Sequence, residues 1–136
     1  MTMKSLAAAL LALPLAAFAG TADAADCKTK LLTGVWVGHA TVEADYYCLI
    51  QVKQNGWITR TSCFNPKTLK PVATLEGRFT VDHACKVTAA FEFKYTTGPA
   101  TDAKFKGKLD PEKGLMSGDF VVLGASEAYR FSQQWN

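Results

Sequence analysis

Residues 48–63 read Cys48-Leu49-Ile50-Gln51-Val52-Lys53-Gln54-Asn55-Gly56-Trp57-Ile58-Thr59-Arg60-Thr61-Ser62-Cys63. Asn55-Gly56 separates two segments that alternate apolar and polar. This dipeptide favours a two-residue type I′ hairpin turn, because both turn positions need positive φ. A turn of that length fixes the register. Residue 54 then faces 57, 52 faces 59, 50 faces 61, and Cys48 faces Cys63. Directly opposed strand residues have Cβ atoms roughly 4.5–5.5 Å apart, a gap that a disulfide closes after small adjustment. Tyr46, Cys48, Ile50, Val52, Trp57 and Thr59 share the apolar face. Tyr47, Gln51, Lys53, Ile58 and Arg60 take the other. Cys27 and Cys85 are left to pair with each other.

Period-two alternation continues on both sides of this hairpin. Upstream, Trp36, Gly38, Ala40 and Val42 line one face of a first strand. Downstream, Ala73, Leu75, Gly77, Phe79 and Val81 do the same, followed by Cys85, Val87, Ala89, Phe91, Phe93 and Tyr95. Asp82-His83-Ala84 joins these two strands as a three-residue loop that aligns Val81 with Cys85. Ala103, Phe105, Gly107 and Leu109 form the next inward stripe, with Lys104, Lys106 and Lys108 outward. Residues 110–114 make a turn, with Pro111 and Gly114 at favoured places. Met116, Gly118, Phe120 and Val122 follow, and a last strand spans 128–135 with Tyr129 and Phe131 inward. No amphipathic helix is expected after residue 24. Eight strands in sequence, each with one apolar face, would leave two open edges as a flat sheet. Closure removes them. The expected fold is all-β: an eight-stranded antiparallel up-and-down barrel with two disulfides, with a β-sandwich as the alternative.

The compartment follows from the first residues. Lys4 precedes an apolar run from Leu6 to Phe18, and two small-residue patterns come next, Ala17-Phe18-Ala19 and Ala22-Asp23-Ala24. This is the layout of a cleavable secretory signal, and the run is shorter than the roughly 20 residues that span a bilayer. Residues 1–24 are expected to be a signal peptide, with Ala19 as the alternative cleavage point. Residues 25–136 then form one domain in the periplasm or outside the cell. Four cysteines in an oxidising compartment imply two disulfides. Their spacing is far wider than the close C-x₂₋₄-C pairs of zinc sites. The net charge of +3 is mild and demands no nucleic-acid partner.

Leu32-Thr33-Gly34-Val35-Trp36 resembles the Gly-x-Trp opening of the calycin group, the lipocalin- and avidin-type barrels. Phe105-x-Gly107, Gly114 and Ser117-Gly118-x-Phe120 resemble the closing hairpins of small barrels of that kind. The resemblance implies a tryptophan closing the barrel base and a binding site at the open mouth. Gly34-Val35-Trp36, Cys48-Leu49 and Cys63 also resemble a bacterial periplasmic protease-inhibitor family. Those inhibitors insert a free N-terminal arm into the protease, whereas here Cys27 is expected to tie that end down.

Chemistry-bearing residues are sparse. His39 is expected on the outer face of the first strand, and His83 in a turn beside Asp82. No nucleophile, base and orienting group come together. The reading is therefore a non-enzyme without metal or cofactor. An eight-stranded barrel either fills itself with side chains or holds one small ligand, and both remain open. Trp36, Tyr46, Trp57, Tyr95 and Phe105 are the candidate ligand-binding residues for a small apolar molecule at the mouth. The alternative is an inhibitor or other module that binds an envelope or extracellular protein. It would act through loops such as 64–72, with Phe64, Asn65, Pro66 and Lys67 as the contact residues. Lys94, Lys104, Lys106 and Lys108 form an outer stripe offering weak contact with anionic surfaces. A strongly basic lysozyme is a poor target for a protein that is itself basic.

Export of the full chain in a bacterial host is expected to yield a product beginning at Ala25, checked by intact mass. Retention of Met1 in the exported product would refute the signal assignment.

Overall fold

A computed structural model describes residues 26–42 and 46–134. The expected signal segment 1–24 and Trp135 lie outside the described residues. Cys27 enters through a short 3-10 helix, Thr29–Leu32, and eight strands follow. They are β1 (Gly34–Ala40), β2 (Tyr47–Val52), β3 (Ile58–Phe64), β4 (Pro71–Val81), β5 (Lys86–Tyr95), β6 (Ala100–Asp110), β7 (Leu115–Val122) and β8 (Ala125–Gln134). Each pairs antiparallel with the next, and β8 returns to β1, from Val35↔Gln134 to Ala40↔Tyr129. The sheet is a closed up-and-down barrel, not a sandwich. This architecture is compatible with the calycin type.

The hairpin of β2 and β3 reaches its expected register by an unexpected route. Lys53 N–H donates to Trp57 O (2.9 Å), and Gly56 N–H donates to Lys53 O (2.9 Å). The loop therefore has three residues, with Gly56 alone at positive φ (91°). That is a type I turn with a left-handed third residue, not type I′. The longer loop shifts the pairing, so Val52 faces Ile58 instead of Thr59. A bulge at Thr59 absorbs the shift, and Gln51↔Arg60, Ile50↔Thr61 and Cys48↔Cys63 follow. The expected inward position of Trp57 is thereby corrected. Ile58 turns toward the core and Trp57 outward.

The β4–β5 connection repeats this turn. Asp82 N–H donates to Lys86 O, and Cys85 N–H to Asp82 O, both at 3.0 Å. Val81 consequently faces Val87, not Cys85. Cys85 takes the left-handed position at φ 67°, where the other loop has glycine. A type I′ turn does occur, at Leu123-Gly124 (φ 52° and 80°) between Val122 and Ala125. The eighth strand thus starts three residues before the expected Ala128. Val42, expected inward, lies beyond the end of β1 and is exposed.

Both disulfides form as expected, Cys27–Cys85 and Cys48–Cys63. Inward residues fill the barrel. Phe131 meets Phe79 and Phe105 edge-on at 5.4 and 5.2 Å, and Phe91 stacks on Phe120 at 5.7 Å. Gly38 makes this packing possible, since a Cβ there would stand 2.5 Å from the Phe131 ring. At the base, buried Trp36 donates its indole N–H to Leu32 O (2.7 Å), and Leu32 itself is fully covered. The 3-10 helix is the plug of that end.

Two substitutions test this account. Gly38→Ala should lower stability by about 1–3 kcal/mol, the usual cost of overpacking. Leu123→Asn should raise it by about 1 kcal/mol, because a branched side chain is strained at positive φ where Asn is tolerated. Urea denaturation of both variants measures the two signs.

Candidate functional site

Antiparallel order gives the barrel two distinct ends. The base carries the 3-10 plug, the Lys53–Trp57 turn, the Asp82–Lys86 turn and residues 111–114. The other end is formed by Thr41, Val42, Tyr46 and residues 65–70, 96–99 and 123–124. The five proposed ligand-binding residues do not converge. Trp36 and Phe105 are fully buried in the core. Trp57 lies at the base, on the outer wall. Only Tyr46 and Tyr95 meet at the open end, both against Phe93. Tyr46 packs edge-on to that ring (5.5 Å), and Tyr95 stacks on it (4.8 Å) with its other side exposed. Grooves of about 620 and 390 Å³ lie on the outer wall, one along β1–β3 and one along β4–β6 beside Trp57.

The loop after Phe64 is built by its own backbone. Asn65 Oδ1 accepts from Lys67 N–H (2.8 Å) and Thr68 N–H (3.3 Å). Asn65 O accepts from Leu69 N–H (2.7 Å), and Lys70 O accepts from Asn65 N–H (3.0 Å). Asn side chains favour such local turns. Phe64 is half-buried and stacks on Tyr47 at 6.3 Å, so it anchors the loop more than it presents a surface. The presented side chain is Leu69, held at φ 61° and 73% exposed. Sequence reasoning missed it, because positive φ at leucine has no composition signal.

Leu69 is not alone at that end. Val42 (91% exposed), Leu123 (85%) and Tyr95 sit on neighbouring loops and strand ends. Val42, Leu69, Tyr95 and Leu123 therefore crown the open end with exposed apolar side chains. Leu69 and Leu123 both sit in a conformation that branched residues seldom adopt, and such strain clusters at functional positions.

The two histidines are at opposite ends. His39, near the end of β1, is half-buried. Its Nδ1–H donates to Ala40 O (2.8 Å), and its ring lies 4.8 Å from Tyr47. His83 is exposed in the base turn. Its neighbour Asp82 accepts from the Lys86 and Ala84 N–H groups at 2.9 Å. The Lys86 bond is the main cause holding the Asp82 carboxyl below the usual carboxylate range. The Ala84 bond and the positive charges of His83 and Lys86 act the same way. Among the described residues no group of three metal-ligating side chains gathers.

Fold and surface together define a small disulfide-bonded β-barrel with a filled interior and an apolar crown. No protein-family model matches the chain, and neither a curated protein nor a solved structure matches it.

A depressed carboxyl pKa stabilises the fold above the unfolded value of about 4, and that contribution is lost as pH falls through the folded value. Asp82→Asn should therefore melt below the wild type at neutral pH. The gap should close on acidification below about pH 4. Thermal melts at both ends of that range measure it, and a constant gap would contradict the linkage.

Proposed function

We propose that the chain is an exported barrel that docks an envelope or extracellular protein on its open end. The observation that carries this reading is the crown of Val42, Leu69, Tyr95 and Leu123 above an interior already occupied by aromatic side chains. These four residues ring the rim on successive connections, and exposed apolar surface of this kind suits a partner that spans the whole end. A loop fixed by its own hydrogen bonds loses little entropy on binding, which suits the 65–70 loop. Pro66 within it and Pro71 just after it restrict it further. Lys67 and Lys70 beside the tip add a basic rim suited to an acidic partner surface. The paired disulfides fit an oxidising compartment, periplasmic or extracellular.

A second reading has one specific observation in its favour. The exposed face of Tyr95, stacked on Phe93 beside Tyr46, suits a small apolar or planar molecule at the mouth. Such a ligand would lie across the rim, above the packed rings.

The experiment compares the mature wild type with the double variant Leu69→Asn/Leu123→Asn, immobilised and exposed to envelope extract. Asn tolerates both backbone conformations, so the fold should hold. A protein retained by the wild type should be lost on the variant, with affinity lower by about tenfold or more. Equal capture by both would overturn the docking surface. Native mass spectrometry separates the second reading: a small molecule that leaves on denaturation would favour it.

A further inference from the structure

The lysine stripe expected from sequence is rearranged by the register. Lys94 belongs to a different neighbourhood. Its ammonium lies 3.2 Å from Glu76 and 3.6 Å from Glu92. The Glu76 hydrogen bond, reinforced by the charges of both carboxylates, raises its pKa above the ordinary value. Asp102 lies across from Glu92, so the open-end half of this wall is rich in acids. Toward the base the sign reverses. Lys104, Lys106 and Lys108 follow one another along the outside of β6, about 7 Å apart. Lys86 of β5 stands directly opposite Lys108, and Arg78 of β4 joins through Ala90, which faces both Arg78 and Lys104. Asp119 faces this row across from Lys106, and Asp82 lies beside Lys86 at its base end. Like charges directly opposed in a sheet oppose its stability, yet the Lys86–Lys108 pair is built into it.

An aromatic platform borders the same surface. The turn shift that expelled Trp57 from the core set it beside β4, where it bridges to Arg78. Half of the indole is open, at 49% exposure. The Arg78 guanidinium lies over the ring at 5.8 Å, fixed by its Nε–H bond to Asn55 O (2.9 Å). That bond uses one of five guanidinium donors. Between Trp57 and the lysines runs a groove of about 390 Å³, floored by Ala89 and Ala90 and flanked by the Thr80 and Thr88 hydroxyls. Those hydroxyls lie 2.9 Å apart.

We propose that this outer groove of β4–β6, together with Trp57, binds an anionic polysaccharide. Arg and Lys donors match carboxylate or sulfate groups repeated along a chain. The indole face suits the C–H face of a pyranose, and the threonine hydroxyls suit sugar hydroxyls. The floor of small residues keeps the groove concave. A bilayer surface would call for projecting apolar side chains, which this face lacks apart from the tryptophan at its edge. Single-stranded nucleic acid would call for several stacking platforms, and Trp57 is the one aromatic side chain exposed here. The site is on the outer wall and separate from the open-end crown, so the two surfaces stand or fall independently.

The test titrates the mature protein with an oligogalacturonate and with a heparin oligosaccharide at physiological salt, read by calorimetry. Neutral dextran, single-stranded DNA and vesicles of anionic phosphatidylglycerol serve as competitors. Binding of at least one anionic glycan is expected. Lys104→Gln/Lys106→Gln should weaken it by about tenfold or more. Trp57→Ala should weaken it about fivefold with charge unchanged, and Lys94→Gln should leave it within about twofold. Lys104 and Lys106 are exposed, so their variants should keep the wild-type melting curve. No binding of either glycan would overturn the proposal. So would equal binding of DNA or vesicles, or binding indifferent to Trp57→Ala, since each would reduce the face to unspecific charge attraction.

Discussion

The volume inside an eight-stranded barrel is the constraint on which this structure depends. That volume suits either a layer of side chains or one small ligand. Here the rings of Phe79, Phe91, Phe105, Phe120 and Phe131 occupy it in mutual edge-on and stacked contacts. Gly38 yields the space that Phe131 needs. Trp36 and Leu32 close the base. With these rings on the inside, the surfaces proposed for recognition are the outer wall and the open end.

Much of the fold was legible because period-two patterning and turn chemistry act locally and agree. The strand order, the inward stripes and both cysteine pairs follow from such signals. Register was legible for Cys48 and Cys63 even though the turn type was not. The three-residue loop and the Thr59 bulge shift the pairing in opposite directions, so their effects cancel before the cysteines are reached. Between them the cancellation fails, and there Trp57 and Ile58 exchange faces. Positive φ at Leu69, Cys85 and Leu123 had no local signal. Those residues are held by loop hydrogen bonds, a disulfide and a strand pair, all of them set by tertiary context.

The surface was legible only in outline. Lysines at alternate positions of one strand must share a face, so the cluster of Lys104, Lys106 and Lys108 could be read directly. Lys94 was placed with them because the carboxylates that would surround it depend on cross-strand neighbours. Glu76 comes from β4 and reaches Lys94 through a register that sequence alone does not fix. Tyr46 and Tyr95 were rightly placed at strand ends. Trp57 was also at a strand end, but at the opposite one, and topology rather than composition decides which end a residue occupies.

The two disulfides are nested, and this has a consequence for the order of biosynthesis. Cys48 and Cys63 are 15 residues apart, while Cys27 and Cys85, which enclose them, are 58 apart. A chain that crosses a membrane from its N-terminus presents Cys27 and Cys48 to the oxidant first. Pairing in order of emergence would join those two and trap both in the wrong bond. The native pattern instead requires Cys27 to wait until Cys85 has arrived. The inner bond can form within a hairpin, a structure that closes in roughly microseconds. The outer bond needs the chain through β4, half of the strands. For a chain exported as proposed, correct maturation would call for thiol exchange or for oxidation slower than translocation.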